Sequence, residues 1–245
     1  MIYDSCISMS LVFDIETIGE NFDRMDEVSQ KNLTHWIERE AAGDDVRFRA
    51  MLTDVKDGLG FSPLTGEIVA IGVYDTEKNQ GVVYYQSPDQ KNDDIIQENF
   101  IFKATTEAEM LQKFWQGAKQ YKQFISFNGR SFDVPFLMLR SAVNKIKPTV
   151  NLMSDRYLKF QNYNVKHIDL LDQMSFYGAV RRKGSLHLYC KAFGIRSPKS
   201  DGITGDDVAT YFRDKRYIEI AEYNSWDLIA TLELYQVWKE YLDFS

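Results

Sequence analysis

The run Leu-Val-Phe-Asp-Ile-Glu at residues 11–16 decides the fold, because this short apolar segment carries two carboxylates and ends at Thr17-Ile18-Gly19. Short apolar runs bounded by turn-forming residues are typical of buried β-strands. Side chains two residues apart in a strand point to the same face, so Asp14 and Glu16 project together. Burying such a pair is costly unless a cation neutralises it, and hard divalent cations prefer oxygen ligands. The run therefore predicts a buried strand that carries part of a metal site.

The same D-x-E spacing recurs at Asp75-Thr76-Glu77, but its surroundings differ. Lys-Asn-Gln-Gly follows at residues 78–81, and this composition is typical of a hairpin turn. The context therefore favours a metal-binding role for the first carboxylate pair and no functional role for the second.

A charge-rich segment with helix-like spacing follows the first strand, and Gly58, Gly60 and Pro63 predict a loop at its end. We expect residues 20–65 to be a helical insertion between strands. Downstream, strands are predicted at 67–74, 81–86, 99–103, 124–128 and 165–170, and helices at 106–121, 129–147, 185–193, 206–212 and 215–242. This alternation, with a hairpin near its start, predicts an α/β fold in which helices flank a mixed sheet.

Length and composition favour one folded domain. A chain of 245 residues approaches the upper limit for one hydrophobic core, so we expect a single domain at 1–245. Hydrophobic residues make up 44% and charged residues 27%, which is typical of a globular protein. No run reaches the roughly 18 apolar residues that span a bilayer, which predicts a cytoplasmic protein. Cys6 and Cys190 form no CxxC pair, so we expect reduced thiols.

Charge is unevenly distributed along a chain whose formal net charge is −7. Residues 151–200 carry 9 Lys and Arg against 3 Asp and Glu, a net of +6, whereas residues 201–245 carry 4 against 10, a net of −6. Residues 1–60 carry 6 against 13, a net of −7. A basic stretch beside carboxylate-rich regions suits an enzyme that binds a polyanion over a metal-loaded acidic site. A solvated surface run is the simpler alternative.

Two further carboxylates occupy predicted helical positions. Tyr223 and Asp227 are four residues apart in the last predicted helix and share one face, although the tyrosine could simply pack and the aspartate be solvated. Asp133 follows the strand that ends at Asn128, and it opens a helix whose N-cap would be Ser131 or Asp133 itself. A carboxylate at a helix start beside strand ends also lies where α/β folds place their sites, so both roles stay open.

Other polar residues are assigned structural roles. The histidines lack the spacing of zinc ligands; they are His35, His167 and His187. We expect His187-x2-Cys190 to pack, and Asp169 and Asp172 to be caps or surface residues.

Three motifs, taken in order, resemble those of an enzyme superfamily. They are Asp14-Ile-Glu16-Thr17, Asn128-x3-Phe132-Asp133 and Tyr223-x3-Asp227. They resemble the exonuclease motifs of the tyrosine-bearing branch of the DEDD superfamily (DEDDy), in particular stand-alone proteins similar to the proofreading domain of family B DNA polymerases. The resemblance extends from about residue 10 to 240 and includes Lys199-x5-Gly205-x2-Val208 before the third motif.

The resemblance implies a ribonuclease H-like fold and a metal-dependent 3′–5′ exonuclease in which four carboxylates surround two divalent metal ions, Mg²⁺ or Mn²⁺. Asp14 would bridge both ions, while Glu16 and Asp227 would hold the ion that carries the attacking water. Asp133 would hold the second ion. Tyr223 would orient the water, and the products would be nucleoside 5′-monophosphates.

The expected substrate is a single-stranded nucleic acid with a free 3′ end, with DNA favoured over RNA. Aromatic rings and basic grooves hold single strands. The candidate binding residues are Thr17, Asn128, Phe132, Arg181, Arg182, Lys183 and Lys199. The alternatives are an exoribonuclease and a catalytically silent nucleic-acid-binding module. We expect the insertion at 20–65 to serve packing, with a lid over the 3′ end and a surface for a protein partner as alternatives.

Overall fold

The computed structural model describes residues 9–90, 93–198 and 204–244. Within these residues, strands form a seven-stranded mixed sheet in the order β4-β5-β3-β2-β1-β6-β7. The strands are β1 Ser10–Gly19, β2 Gly66–Asp75, β3 Gln80–Tyr85, β4 Ile95–Gln97, β5 Phe100–Ala104, β6 Gln123–Ser126 and β7 Lys166–Asp169. β1 pairs antiparallel with β2 and parallel with β6, so the strand that carries Asp14 and Glu16 lies inside the sheet.

Helices cover both faces of this sheet. They are α1 Glu27–Ala41, α2 Asp45–Gly58, α3 Glu107–Ala118, α4 Asp133–Val143, α5 Leu170–Met174, α6 Leu186–Phe193, α7 Val208–Arg213 and α8 Tyr217–Tyr241. Leu11, Phe13 and Ile15 pack in the core formed with α3 and α4, whereas Val12 packs in the core formed with α8. The alternation predicted for 11–16 and the mixed α/β sheet are confirmed.

Several local features depart from the predicted elements. Helix α5 was not predicted, and the helix predicted at 129–147 is the shorter α4. The helix-like part of the insertion at 20–65 is two helices, because Ala42 and Gly43 adopt left-handed φ angles of 50° and 87° between them. The edge strand β4 was not predicted. It has three exposed residues that pair antiparallel with β5, and so short a run carries no detectable alternation.

The insertion begins and ends against β1. Its helices α1 and α2 pack on each other, and the chain returns to the sheet through a 3-10 turn at Leu59–Phe61. Ile37, Ala41 and Leu59 are buried. The Thr17 hydroxyl donates a hydrogen bond to the Gly60 carbonyl at 2.7 Å, which fixes the return segment to the end of β1.

The described helices and Cys190 address two expectations, one from hydropathy and one from cysteine usage. Among the described residues, no helix combines the length and apolar character needed to cross a membrane. Cys190 is a free, buried thiol, and burial raises its pKa to about 11. Cys6 lies outside the described residues.

A buried ion pair joins three elements of the fold. Glu107 opens α3 and is only 8% exposed. Its carboxylate accepts a hydrogen bond from the backbone N–H of Ile68 on β2 at 2.8 Å. The guanidinium of Arg140 on α4 donates two more, at 2.9 and 2.8 Å. Removing this carboxylate would leave a largely buried guanidinium without its counter-charge.

We expect Glu107→Ala to lower the free energy of unfolding by about 3–5 kcal/mol, the usual cost of breaking a buried ion pair from one side. Urea unfolding monitored by circular dichroism measures this loss. The control is Glu219→Ala, which removes an exposed pair with Arg216 and should leave the free energy of unfolding nearly unchanged. Similar losses in the two variants would contradict the role assigned to Glu107.

Candidate metal centre and active site

Three carboxylates meet where β1 and α8 pack together. Asp14 and Glu16 lie on β1 and Asp227 lies on α8, and each offers an oxygen within 4.8 Å of the other two. Glu16 is 7% exposed, and the other two side chains are partly buried. Carboxylate oxygens that converge from two elements are the ligands that hard divalent cations take. This cluster could therefore hold a metal ion.

Asp133 lies beside this cluster without belonging to the set of three. It is 3% exposed, and its Oδ1 accepts a hydrogen bond from the backbone N–H of Ile15 at 3.2 Å. Ile15 stands between the two carboxylates of β1. The N-cap of α4 is Phe132, which makes no side-chain capping bond. The predicted capping role of Ser131 or Asp133 is therefore wrong, because the Asp133 carboxylate bonds to the neighbouring strand.

Burial and mutual repulsion raise the pKa values of these groups. The pKa of Asp14 lies well above its usual value because of burial first, and then because of Asp133, Asp227 and Glu16. Burial also raises the pKa of Glu16; Asp227 adds to this rise, and a hydrogen bond from Asn224 opposes it. Burial raises the pKa of Asp133 to about 7. Without a cation, protons relieve part of the repulsion, and a divalent cation would displace them.

A cleft of about 380 Å³ opens over the cluster. Its lining is Asp14, Phe127, Asn128, Phe132, Leu171, Gly184, Ser185, Leu186, His187, Pro198, Gly205, Tyr223 and Asp227. Tyr223 is 4% exposed and hydrogen-bonds to Asp227, one helical turn away. Burial, and then the nearby carboxylates, raise the pKa of its hydroxyl above the ordinary value. Tyr223 therefore keeps its proton and acts as a hydrogen-bond donor.

The second motif also contributes to this cleft. Asn128 and Phe132 both line it, and Asn128 adopts a left-handed φ of 63°. Asp169 holds this turn by accepting from the Asn128 N–H at 2.9 Å, and it also caps α5. The predicted capping role of Asp169 is confirmed. The prediction of a cap or a surface position is wrong for Asp172, which is 7% exposed, lies inside α5 and forms an ion pair with Arg156.

The remaining predicted binding residues lie at the rim, in β1 or outside the described chain. Arg181, Arg182 and Lys183 are exposed and directly precede Gly184 and Ser185 in the cleft lining. Thr17 follows Glu16 on β1, and its hydroxyl bonds to the insertion. Lys199 lies outside the described residues.

Asn224 is a site residue that the sequence patterns do not single out. It is fully buried, and its Nδ2 donates a hydrogen bond to Oδ2 of Asp14 at 2.8 Å. Gly72 on β2 stands opposite Asp14 in the sheet register, and a Cβ there would lie 1.9 Å from Oδ1 of Asn224. Glycine is therefore required for the amide to reach the carboxylate. The sequence offers one signal. Asn224 is a polar amide, whereas the residues four positions before and after it in the same helix, Ile220 and Leu228, are apolar.

A known protein family matches the part of the chain that contains the second and third motifs. Residues 65–243 match the family described as predicted 3′-5′ exonucleases related to the exonuclease domain of PolB. The chain belongs to this family. Asp133, Tyr223 and Asp227 lie within the matched residues, whereas Asp14 and Glu16 precede them and join the site through the fold. No curated protein matches the chain.

A solved structure with a similar fold is the family B DNA polymerase from the hyperthermophilic archaeon Pyrobaculum calidifontis, with a TM-score of 0.57 and 15% sequence identity. The match covers 95% of this chain and 24% of the polymerase chain, so this protein spans about a quarter of that length. At this identity the likeness shows the fold alone. It confirms the predicted ribonuclease H-like α/β class.

Neutralising one carboxylate should stabilise the metal-free protein. The pKa of Asp133 is about 7 in the folded chain against an ordinary value of 3.8, so the folded state binds this proton more tightly than the unfolded state. The contribution of Asp133 to the free energy of unfolding therefore falls as the pH rises from about 4 to 7. The pKa of Asp14 is raised too, by burial first and then by Asp133, Asp227 and Glu16. We expect Asp14→Asn, which removes this buried like charge, to raise the free energy of unfolding at pH 8 in EDTA by about 1 kcal/mol, the scale of one pKa unit.

Urea unfolding at pH 5 and pH 8 measures this effect. Mn²⁺ should raise the Tm of the wild type and leave that of Asp14→Asn unchanged. The control is Asp54→Asn on the exposed side of α2, which should respond to Mn²⁺ like the wild type. A metal-free Asp14→Asn protein that is less stable than the wild type would disprove the repulsion.

Removing the Asn224 amide should weaken metal binding. A hydrogen bond to a charged group contributes about 1.5–3 kcal/mol, so we expect Asn224→Ala to weaken Mn²⁺ binding by about 10-fold or more in calorimetry. Gly72→Ala should have a similar effect because its Cβ displaces the amide. Gln236→Ala, which removes an exposed amide from the same helix, is the control. If both Asn224→Ala and Gly72→Ala bind Mn²⁺ with unchanged affinity, Asn224 does not position the Asp14 carboxylate.

Proposed function

We propose that this protein is a metal-dependent 3′–5′ exonuclease that shortens single-stranded DNA, with residues 1–245 acting as one exonuclease domain. The convergence of Asp14, Glu16 and Asp227 within 4.8 Å carries the proposal. Repulsion within such a cluster destabilises the fold, so a functional cation explains it better than a structural role does. Membership in a family of predicted 3′-5′ exonucleases supports the reaction class.

In this proposal the four carboxylates hold two divalent ions, Mg²⁺ or Mn²⁺. When bound, the ions would supply Lewis acidity that lowers the pKa of an attacking water and stabilises the leaving 3′ oxygen. Asp14, Glu16 and Asp227 are close enough to share one ion, and Asp133 would complete the second site. With Asp227 engaged by an ion, the protonated Tyr223 hydroxyl would donate its one hydrogen to the attacking water instead of to Asp227, and so orient the water for in-line attack on phosphorus.

The cleft lining would position the end of the strand. Phe132 offers an aromatic surface and Asn128 a polar side chain above the carboxylates. The basic residues at 181–183 lie where phosphates of the approaching strand would pass, next to the cleft wall. Hydrolysis of the terminal phosphodiester would release a nucleoside 5′-monophosphate and leave a new 3′-hydroxyl end.

The test is to incubate 5′-labelled single-stranded DNA and RNA with the protein in Mg²⁺ or Mn²⁺. We expect stepwise shortening of DNA from the 3′ end, and EDTA or Asp14→Ala should reduce it to background. RNA is included because only contacts to the 2′-hydroxyl distinguish the two polymers at such a site.

The matched control compares Glu16→Gln with Glu77→Gln. Both residues are the glutamate of a D-x-E sequence, but Glu77 is exposed in a turn. Glu16→Gln should be inactive and Glu77→Gln fully active. If the wild type leaves DNA and RNA intact with either metal, the enzyme proposal fails. Binding without cleavage would instead favour a silent nucleic-acid-binding module.

A further inference from the structure

The last turn of the insertion lies against the metal-site strand. Gly60 accepts a hydrogen bond from the hydroxyl of Thr17, the residue after Glu16. The Thr65 carbonyl accepts another from the Glu20 N–H at 2.8 Å. A Cβ on Gly19 would lie 2.6 Å from the Leu59 Cβ and 2.8 Å from the Gly60 nitrogen, so the two backbones are in direct contact. This segment is therefore fixed relative to the carboxylates.

Phe61 projects from this fixed turn into solvent. Its side chain is 62% exposed, although the preceding Leu59 is buried. Its ring centroid lies 6.5 Å from that of Phe132, at an interplanar angle of 60°. Phe132 packs on Phe136 at 5.0 Å and lines the cleft over the carboxylates. The exposed ring therefore extends the apolar wall of the cleft towards the insertion.

We propose that Phe61 and Phe132 together form a binding site for one unpaired nucleobase near the 3′ end of the strand. This inference rests on the proposed function and assigns the insertion a direct role in holding the substrate. Phe132 belongs to the second motif, whereas Phe61 comes from a segment outside all three motifs. The partner is the base of a single-stranded nucleic acid, which presents the flat apolar surface that an exposed ring accommodates.

The ring geometry specifies how the base is held. A centroid distance of 6.5 Å lies within the range of direct aromatic contact, so no base fits between the two rings. The base would stack on the open face of Phe61 and contact Phe132 through its edge. Phenyl rings read no hydrogen-bond pattern, so the site would accept all bases. Base–aromatic stacking contributes about 1–3 kcal/mol by alanine substitution, which corresponds to roughly 5- to 150-fold in affinity.

The test combines Phe61→Ala with oligonucleotides that lack one base at the first, second or third position from the 3′ end. For the wild type, kcat/KM should fall by about 10-fold at one of these positions. Phe61→Ala should show most of this fall on intact DNA and only a small further loss when that base is absent, because only the edge contact with Phe132 is then left to lose. Phe61→Trp should restore the wild-type value. Tyr241→Ala is the control, because Tyr241 is 66% exposed at the far end of α8.

A binding measurement keeps this inference separate from the proposed activity. With Ca²⁺ in place of Mg²⁺, 2-aminopurine at the sensitive position should lose fluorescence on binding the wild type and keep it with Phe61→Ala. Additive losses in the abasic series, or equal quenching by both proteins, would overturn the stacking site even if DNA is shortened. A change of oligomeric state in Phe61→Ala, measured by sedimentation, would overturn it in favour of a contact between copies of the chain.

Discussion

Repulsion among the carboxylates of Asp14, Glu16 and Asp227 opposes the packing of α8 on β1, because their oxygens lie within 4.8 Å in a largely buried setting. The scaffold holds them together by making both supports rigid. β1 is hydrogen-bonded to a strand on each side, so it cannot shift without breaking two ladders. α8 buries Leu228 and Leu234 in the core on the same face. Hydrophobic packing thus stabilises an arrangement that electrostatics alone would separate.

Three of the donors that the structure places against the carboxylates of the site are neutral groups. The Asn224 amide bonds to Asp14, the Ile15 N–H to Asp133 and the Tyr223 hydroxyl to Asp227. Each donor relieves some repulsion without neutralising a carboxylate. A lysine or arginine in the same position would form an ion pair and compete with a metal cation. Because these three donors carry no charge, they form no ion pair that a metal cation would have to displace, and burial remains the main cause of the raised pKa values.

Local periodicity was sufficient to predict the carboxylate pair of the first strand and the Tyr-x3-Asp pair of the last helix, because each pair shares one face of its own element. It could not predict that Asp133 bonds to Ile15, 118 residues away in sequence. The contact of Asn224 with Gly72 was equally hidden, since it depends on how closely a helix approaches a strand. Contacts between elements depend on how those elements pack. A single sequence shows only which face each element offers for packing, not which face of another element it meets.

A net charge of −7 is compatible with an enzyme that works on strand ends. Proteins that coat nucleic acid depend on many phosphate contacts, and each one makes binding more sensitive to salt. In the proposed mechanism the terminal phosphate is held at the cations, and Phe61 with Phe132 holds a base without using charge. The basic residues at 181–183 then only need to align the approaching backbone. Aromatic contacts supply this affinity without placing further cationic side chains near carboxylates that must remain free for metal.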